Sequence, residues 1–219
     1  MIPKLIIFDF DGTLADTTAD TISVYQQTIK ALAAEPRSDA ECQATIGIPL
    51  KEGFRQLYPD YSESELDNCV TTYRKIYNAD LDKFSPQLYP GVMESIDKLH
   101  SLGIKMSVAS SRSRHSLVVF CEKTGLSNYM SLIIGAEDVT HAKPDPEPVL
   151  MTLQQLNQDA CETIVVGDMP VDIAMGKGAG CMTVGVTYGN SYREPLENAD
   201  ATHIIDSFPQ LIDIVTSVK

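Results

Sequence analysis

Leu5-Ile6-Ile7-Phe8-Asp9-Phe10-Asp11-Gly12-Thr13-Leu14-Ala15-Asp16, near the start of the chain, decides how the rest is read. Its first four residues form an unbroken apolar run, the pattern of a strand buried on both faces; a half-exposed strand would alternate. The run ends in two carboxylates at i and i+2 and a glycine, whose missing Cβ lets backbone amides approach an anion. Open α/β sheets bind their ligands outside strand ends of this kind.

Working outward, Ile104–Ala109, Leu132–Ile134, Thr163–Val166 and Thr183–Val186 are further short, β-branched runs bounded by Gly, Ser or Asp. Helix-length amphipathic stretches lie between them: Gly91–Leu102, Ser113–Lys123, Pro146–Leu156 and Pro170–Ala179. From about residue 89 onward this alternation predicts right-handed βαβ units, a parallel sheet with helices on both faces. Residues 17–84 break the rhythm, with helical patterns over Thr21–Ala33, Leu50–Leu57 and Glu63–Leu81, a turn around Ser38–Thr45, and no convincing strand. The expectation is a Rossmann-like α/β core of residues 1–16 and 85–219 carrying an inserted α-helical cap of residues 17–84. Polar and turn residues at Asp16-Thr17-Thr18, Ser85-Pro86 and Tyr89-Pro90-Gly91 mark the exit and the return. A length of 219 residues suits one core domain with a sizeable insertion.

Composition removes several function classes. Thirty Asp and Glu against 17 Lys and Arg give a formal net charge of -13, without a basic stretch to neutralise a nucleic-acid backbone. No run of about 18 apolar residues is present, and Met1-Ile2-Pro3-Lys4-Leu5-Ile6-Ile7-Phe8 meets Asp9 too early for a signal-peptide core. A soluble, cytoplasmic protein that binds neither membrane nor nucleic acid is expected. The five cysteines, Cys42, Cys69, Cys121, Cys161 and Cys181, are too widely spaced for a disulfide framework or a thiolate zinc site. His100, His115, His141 and His203 stand apart from other ligand types.

The polar residues that follow the apolar runs carry the chemistry. Asp9 and Asp11 follow the first run; Ser110, Ser111 and Arg112 follow the second; Lys143-Pro144-Asp145-Pro146 precedes a helix; Gly167-Asp168-Met169-Pro170-Val171-Asp172 follows another strand. Carboxylates gathered at one edge repel unless a cation joins them. Oxygen donors without nearby His or Cys favour Mg²⁺ over zinc or copper. Mg²⁺ held by few carboxylates commonly takes a phosphate oxygen, while Lys143 and the Ser110 hydroxyl suit the other phosphoryl oxygens. Phosphoryl transfer is the chemistry this set favours.

These segments resemble the four motifs of the haloacid dehalogenase superfamily, in its phosphatase branch with an α-helical cap. The resemblance runs through Asp9-x-Asp11-Gly12-Thr13-Leu14-x-Asp16-Thr17, Ser110, Lys143 and Gly167-Asp168-x-x-x-Asp172, and covers essentially the whole chain. It implies that Asp9 is a nucleophile forming an aspartyl-phosphate and that Asp11 is general acid and then base. It implies Mg²⁺ on Asp9, the Asp11 carbonyl and Asp168, with Asp172 behind them, and phosphate held by Gly12, Ser110, Ser111 and Lys143. An acid at Asp11 suits a phosphoryl leaving group, whereas a halide needs no proton. Ser111 and Met169 depart from the commonest pattern, which has asparagine and serine or threonine there.

The resemblance implies a hydrolase similar to phosphoglycolate phosphatases, acting on a small phosphorylated metabolite; a monomer or weak dimer is expected. A β-phosphoglucomutase-type mutase and a pyrophosphatase are alternatives that would use the same core. A non-catalytic interaction protein is a further alternative, although such a protein need not retain Asp9, Asp11, Ser110, Lys143 and Asp168. Lys51 and Arg55, just after Gly47-Ile48-Pro49, either reach a remote carboxylate or phosphate or form a solvated helix face. Asp16 fits an N-cap, and Tyr188-Gly189 fits packing.

Overall fold

The fold is built around one strand, β1 (Leu5–Phe8), whose four side chains are all fully buried. Leu5 and Ile7 belong to a hydrophobic cluster with Val149, Leu153 and Met175, whereas Ile6 and Phe8 belong to a second cluster with Ile96, Leu99 and Leu211. Each face of the strand thus has its own core, which is why its sequence does not alternate. In the computed structural model, which describes residues 2–217, the other elements follow in order. They are β2 (Ala15–Asp16), α1 (Thr18–Ala31), α2 (Asp39–Gln43), α3 (Leu50–Leu57), α4 (Glu63–Asp80), β3 (Gln87–Leu88), α5 (Val92–Ser101), β4 (Lys105–Ala109) and α6 (Arg114–Thr124). Then come β5 (Met130–Ile134), α7 (Glu147–Leu156), β6 (Thr163–Gly167), α8 (Pro170–Gly178), β7 (Met182–Val186), α9 (Arg193–Asn198), β8 (His203–Ile205) and α10 (Gln210–Ser217).

Six strands form one parallel sheet in the order β5-β4-β1-β6-β7-β8. The chain works outward from β1 to β5, crosses back, and works outward again from β6 to β8. That reversal opens a crevice beyond the carboxyl end of β1, where ligands of doubly wound sheets bind.

A helical cap, α1 to α4, is inserted after β1. The chain leaves through β2 and returns through β3, and these pair antiparallel, Ala15 with Leu88 and Asp16 with Gln87. Aromatic side chains fill the cap: the Tyr25 ring lies 5.0 Å from both Phe54 and Tyr73, and Tyr77 lies 5.0 Å from Phe84. This packing merges with the core through Phe10, Leu14 and Phe120. The segment expected as a turn around Ser38–Thr45 contains α2, started by a capping box in which Ser38 and Glu41 satisfy each other's backbone amides. On the return side, the Lys123 ammonium on α6 donates to the carbonyls of Leu81, Asp82 and Phe84 at 3.1, 2.9 and 2.7 Å. Cys161 is exposed and the other four cysteines are buried, all as free thiols. Among the described residues, no helix is long and apolar enough to cross a membrane.

Candidate active site

The sheet ladder extends one residue past β1, with Asp9 N donating to the Val166 carbonyl at 2.9 Å. The Phe10 carbonyl then accepts from Leu14 N and Ala15 N at 3.0 and 3.1 Å, folding the acidic segment into a tight loop. Gly12 sits in that loop at φ +84°, and a Cβ there would lie 2.1 Å from an Asp168 carboxylate oxygen. Only glycine meets both demands.

Asp9 and Asp168 directly follow β1 and β6, Asp172 lies in the first turn of α8, and their carboxylates lie within 4.8 Å of one another, all buried. The Lys143 ammonium, also buried, lies 2.6 Å from Asp9 Oδ1 and 2.6 Å from Asp172 Oδ1. The other oxygen of Asp172 accepts from Met169 N at 3.0 Å, so both its oxygens are engaged and it orients Lys143 while capping α8. Asp168 accepts from the backbone and side-chain amides of Asn190 at 2.6 and 3.0 Å, and from the Thr13 hydroxyl at 3.3 Å. Burial works against the Lys143 ammonium, but Asp172 and Asp9 outweigh it and hold its pKa above the usual lysine value.

Asp11 points to a different partner. Arg112, just past β4, donates through Nε to both Asp11 oxygens at 2.9 and 3.1 Å and through Nη2 to Oδ1, and Thr17 Oγ1 also donates to Oδ1. Arg112 Nη1 donates to the Tyr77 hydroxyl on α4, so one guanidinium joins sheet, loop and cap. Ser110 is buried beside it, its hydroxyl accepting from Arg112 N at 3.3 Å. Ser111 Oγ donates to the Gly47 carbonyl of the cap at 3.3 Å. Gly47 has φ +94°, and its missing Cβ leaves room for the Met169 side chain.

A cavity of about 340 Å³, lined by Asp9, Asp11, Ser110, Ser111 and Arg112 on the core side, lies between the sheet edge and the cap. Ile46, Gly47, Leu50, Tyr73 and Tyr77 line its cap side. That is the size of a small-metabolite site. Lys51 and Arg55 do not line it: they pair with Glu52, Glu63 and Asp67 on an exposed face. Asp16 is exposed and accepts from Thr18 N at 3.0 Å, but the N-cap position of α1 is Thr17, so Asp16 is not the N-cap the sequence suggested. The sequence motifs assign no role to Arg112 or Asn190. Position alone could have flagged both, since each follows a strand at the ligand-binding edge. Tyr188-Gly189, read as packing, does more, because Tyr188 donates to the Thr13 carbonyl at 2.9 Å and leads into the Asn190 grip on Asp168.

The donor set suits a hard divalent cation. Four buried carboxylates, Asp9, Asp11, Asp168 and Asp172, face two largely buried cations, Lys143 and Arg112. The deficit of two positive charges matches one divalent ion. Its cost is visible in the carboxylates: burial pushes Asp9 well above the usual range against the pull of Lys143, and burial together with Asp172 raises Asp168 to about 7. Oxygen ligands without His or Cys fit Mg²⁺.

Comparison with known proteins agrees with this chemistry. Residues 6–186 match the haloacid dehalogenase-like hydrolase family. The chain is 34% identical over 210 residues to Probable phosphatase IndB of Dickeya dadantii, covering 95% of this chain and 91% of that protein. It is 32% identical to Pyrophosphatase PpaX of Halalkalibacterium halodurans over 96% of this chain and 95% of that one. Phosphoglycolate phosphatase of Agrobacterium fabrum is 30% identical over 96% of this chain and 91% of its own. The fold superposes on a haloacid dehalogenase-like family hydrolase from Streptococcus pneumoniae with a TM-score of 0.86, at 20% identity over 98% of this chain and 99% of that one. An acidic strand edge under a helical cap, matched over most of its length by this family, makes the chain a member of the haloacid dehalogenase-like hydrolases, within their phosphatase branch.

Proposed function

We propose that the chain is a Mg²⁺-dependent phosphomonoester hydrolase that acts on a small phosphorylated metabolite through an aspartyl-phosphate, with residues 17–84 as a lid. The observation that carries this reading is that Asp9 and Asp11 line one small cavity with different partners, Asp9 held by Lys143 and Asp11 by Arg112. Two carboxylates kept apart in this way suit two roles.

In the first step an Asp9 oxygen attacks phosphorus, the bond to the leaving oxygen breaks, and Asp11 delivers a proton to that oxygen. In the second, water attacks the phosphorus, Asp11 takes its proton, and the bond to Asp9 breaks, releasing inorganic phosphate and restoring the carboxylate. Lys143 offsets the charge of Asp9 and of the phosphoryl oxygens, fixed in place by Asp172. Ser110 and the backbone amides around Gly12 hold phosphoryl oxygens. Asp9, Asp168 and the Asp11 carbonyl would hold Mg²⁺, which when bound neutralises charge on the transferring group. The cap, whose Gly47 meets Ser111 and Met169 over the site, would exclude water until the leaving group has departed.

Phosphate release from phosphoglycolate, pyrophosphate, β-glucose 1-phosphate and common sugar and nucleotide monophosphates, with Mg²⁺ or EDTA, tests the reading. Mg²⁺-dependent release that vanishes in Asp9→Asn supports it. Conversion of β-glucose 1-phosphate without net release would replace it with a mutase. Pyrophosphate hydrolysis is a second reading, supported by the PpaX relatives and by the presence of Arg112 in the cavity lining.

A further inference from the structure

The two-step reaction above gives every buried charge of the site a role except Arg112. Its Cζ lies over the rings of Tyr77 and Phe120, 5.2 and 5.0 Å from their centroids, and Nη1 donates to the Tyr77 hydroxyl, which leaves the edge that carries Nε and Nη2. That edge presents Nε and Nη2 side by side to the Asp11 carboxylate, the fork that arginine offers to carboxylates and phosphates generally. Both oxygens of Asp11 are engaged as acceptors, by Arg112 and by Thr17. Oδ2, which accepts from Arg112 Nε alone, is the oxygen left to face a leaving group, and a proton carried there ends the charge pairing with the fork. Loss of that pairing without a substitute would leave a buried guanidinium unpaired, which is strongly unfavourable.

Thr21, Tyr25, Thr45, Tyr73 and Tyr77 give the cavity neutral walls around Arg112, and the exposed Glu137 and His115 also line it. Its other arginine, Arg74, is exposed on α4. A general acid works within about 3 Å of the leaving oxygen, and Arg112 is itself about 3 Å from that acid. An oxyanion a few bonds beyond the leaving oxygen therefore falls within reach of the guanidinium.

We propose that Arg112 receives an anionic leaving group: a carboxylate or phosphate on the substrate takes over the guanidinium fork from Asp11, and that exchange frees Asp11 for proton transfer. The substrate class is then phosphates whose leaving group carries a second oxyanion close to the scissile oxygen. Neutral leaving groups bind without freeing Asp11. This inference rests on the phosphatase reading and deepens it.

The test compares matched substrates in wild type, Arg112→Gln and Arg112→Lys: 2-phosphoglycolate against 2-hydroxyethyl phosphate, and pyrophosphate against methyl phosphate. In wild type, kcat/KM is expected to favour at least one charged member over its neutral partner by about 100-fold or more, because the neutral ligand leaves a buried donor pair unmet. In Arg112→Gln that preference collapses to within about tenfold of unity, with KM rising for the charged member only. Collapse in the phosphoglycolate pair identifies a carboxylate as the oxyanion, and collapse in the pyrophosphate pair a phosphate. Equal losses for charged and neutral members would make Arg112 a positioning residue for Asp11 alone and overturn the proposal, as would a wild type that prefers neither charged member. Should Arg112→Gln melt below the assay temperature, Arg112→Lys decides: it keeps the charge and loses the fork, and an unchanged preference overturns the proposal. The absence of any Mg²⁺-dependent turnover in wild type, with p-nitrophenyl phosphate as the general probe, would instead remove the phosphatase reading, and the proposal with it.

Discussion

At the sheet edge, Lys143 bridges Asp9 and Asp172 with 2–5% of each side chain exposed. On the cap, Lys51 and Arg55 bridge Glu52, Glu63 and Asp67 with a third to two-thirds of each side chain in water. Both networks are made of carboxylates and cations at hydrogen-bonding distance, yet they differ in what the charges experience. Hydrogen bonds from Arg55 and Lys51 lower Glu63 to about 2, whereas burial and Asp172 raise Asp168 to about 7. The cap network is satisfied and surrounded by water, which screens it. The edge network is short of positive charge where little of each side chain meets water. Functional sites are where such unbalanced burial is found.

The contrast breaks most visibly at the nucleophile. Asp9→Asn is expected to lower Mg²⁺-dependent phosphate release by about 10⁴-fold or more while raising the melting temperature of the metal-free protein, since it removes one of several repelling carboxylates. A variant within tenfold of wild type would remove the aspartyl-phosphate mechanism. Lys143→Met takes away the counter-charge and should destabilise the fold by about 3–5 kcal/mol in urea titrations, because Asp9 and Asp172 stay buried without it. A loss below about 1 kcal/mol would show that water enters the edge and that the two networks are alike.

A smaller effect concerns pH. The folded-state pKa of Asp168 is raised from 3.8 to about 7, so folding binds its proton more tightly. Its share of stability is therefore present below about pH 4 and lost as pH rises towards 7. In EDTA, the urea midpoint should fall across that window, Asp168→Asn should flatten the fall, and Mg²⁺ should restore the midpoint at high pH. A slope unchanged by Asp168→Asn would exclude this carboxylate as its source. Smallest of all, Lys51→Ala should shift Tm by less than about 2 °C and leave kcat/KM unchanged, since Lys51 lies outside the cavity. A marked loss of activity would instead bring the cap network into the chemistry.

Asp9, Ser110 and Asp168 were legible in the sequence because they follow apolar runs, and strand ends in a parallel sheet share one side. Lys143 precedes a helix, but its context in the motif set points to the same place. The aromatic filling of the cap was less legible: Tyr25, Phe54 and Tyr73 come from three helices, and nothing in their spacing says they meet. Helix α2 falls where the sequence predicts a turn, although Ser38 and Glu41 carry a capping-box signature, because five residues are too few to show a helical period. Arg112 stood in plain view after Ser110, but its partners Asp11 and Tyr77 lie 101 and 35 residues away, so its pairing exists only once sheet and cap are assembled. The three-residue β8 escaped for a related reason, since an edge strand that short has no run to display.

The position of β1 at the centre of the sheet also has a consequence for time. Its neighbours are β4 and β6, and Leu5 pairs with Lys105 on one side and Thr163 on the other. Ribosomes add about 5–20 residues per second, so roughly 10–30 s separate the synthesis of Leu5 from that of its second neighbour. For that interval a fully apolar strand has one edge without its final partner, and the two aspartates beyond it wait for Lys143 and Asp168. The strand on which the site is founded is thus made early and completed late, which makes the unfinished chain most exposed to wrong pairing at the strand it can least spare.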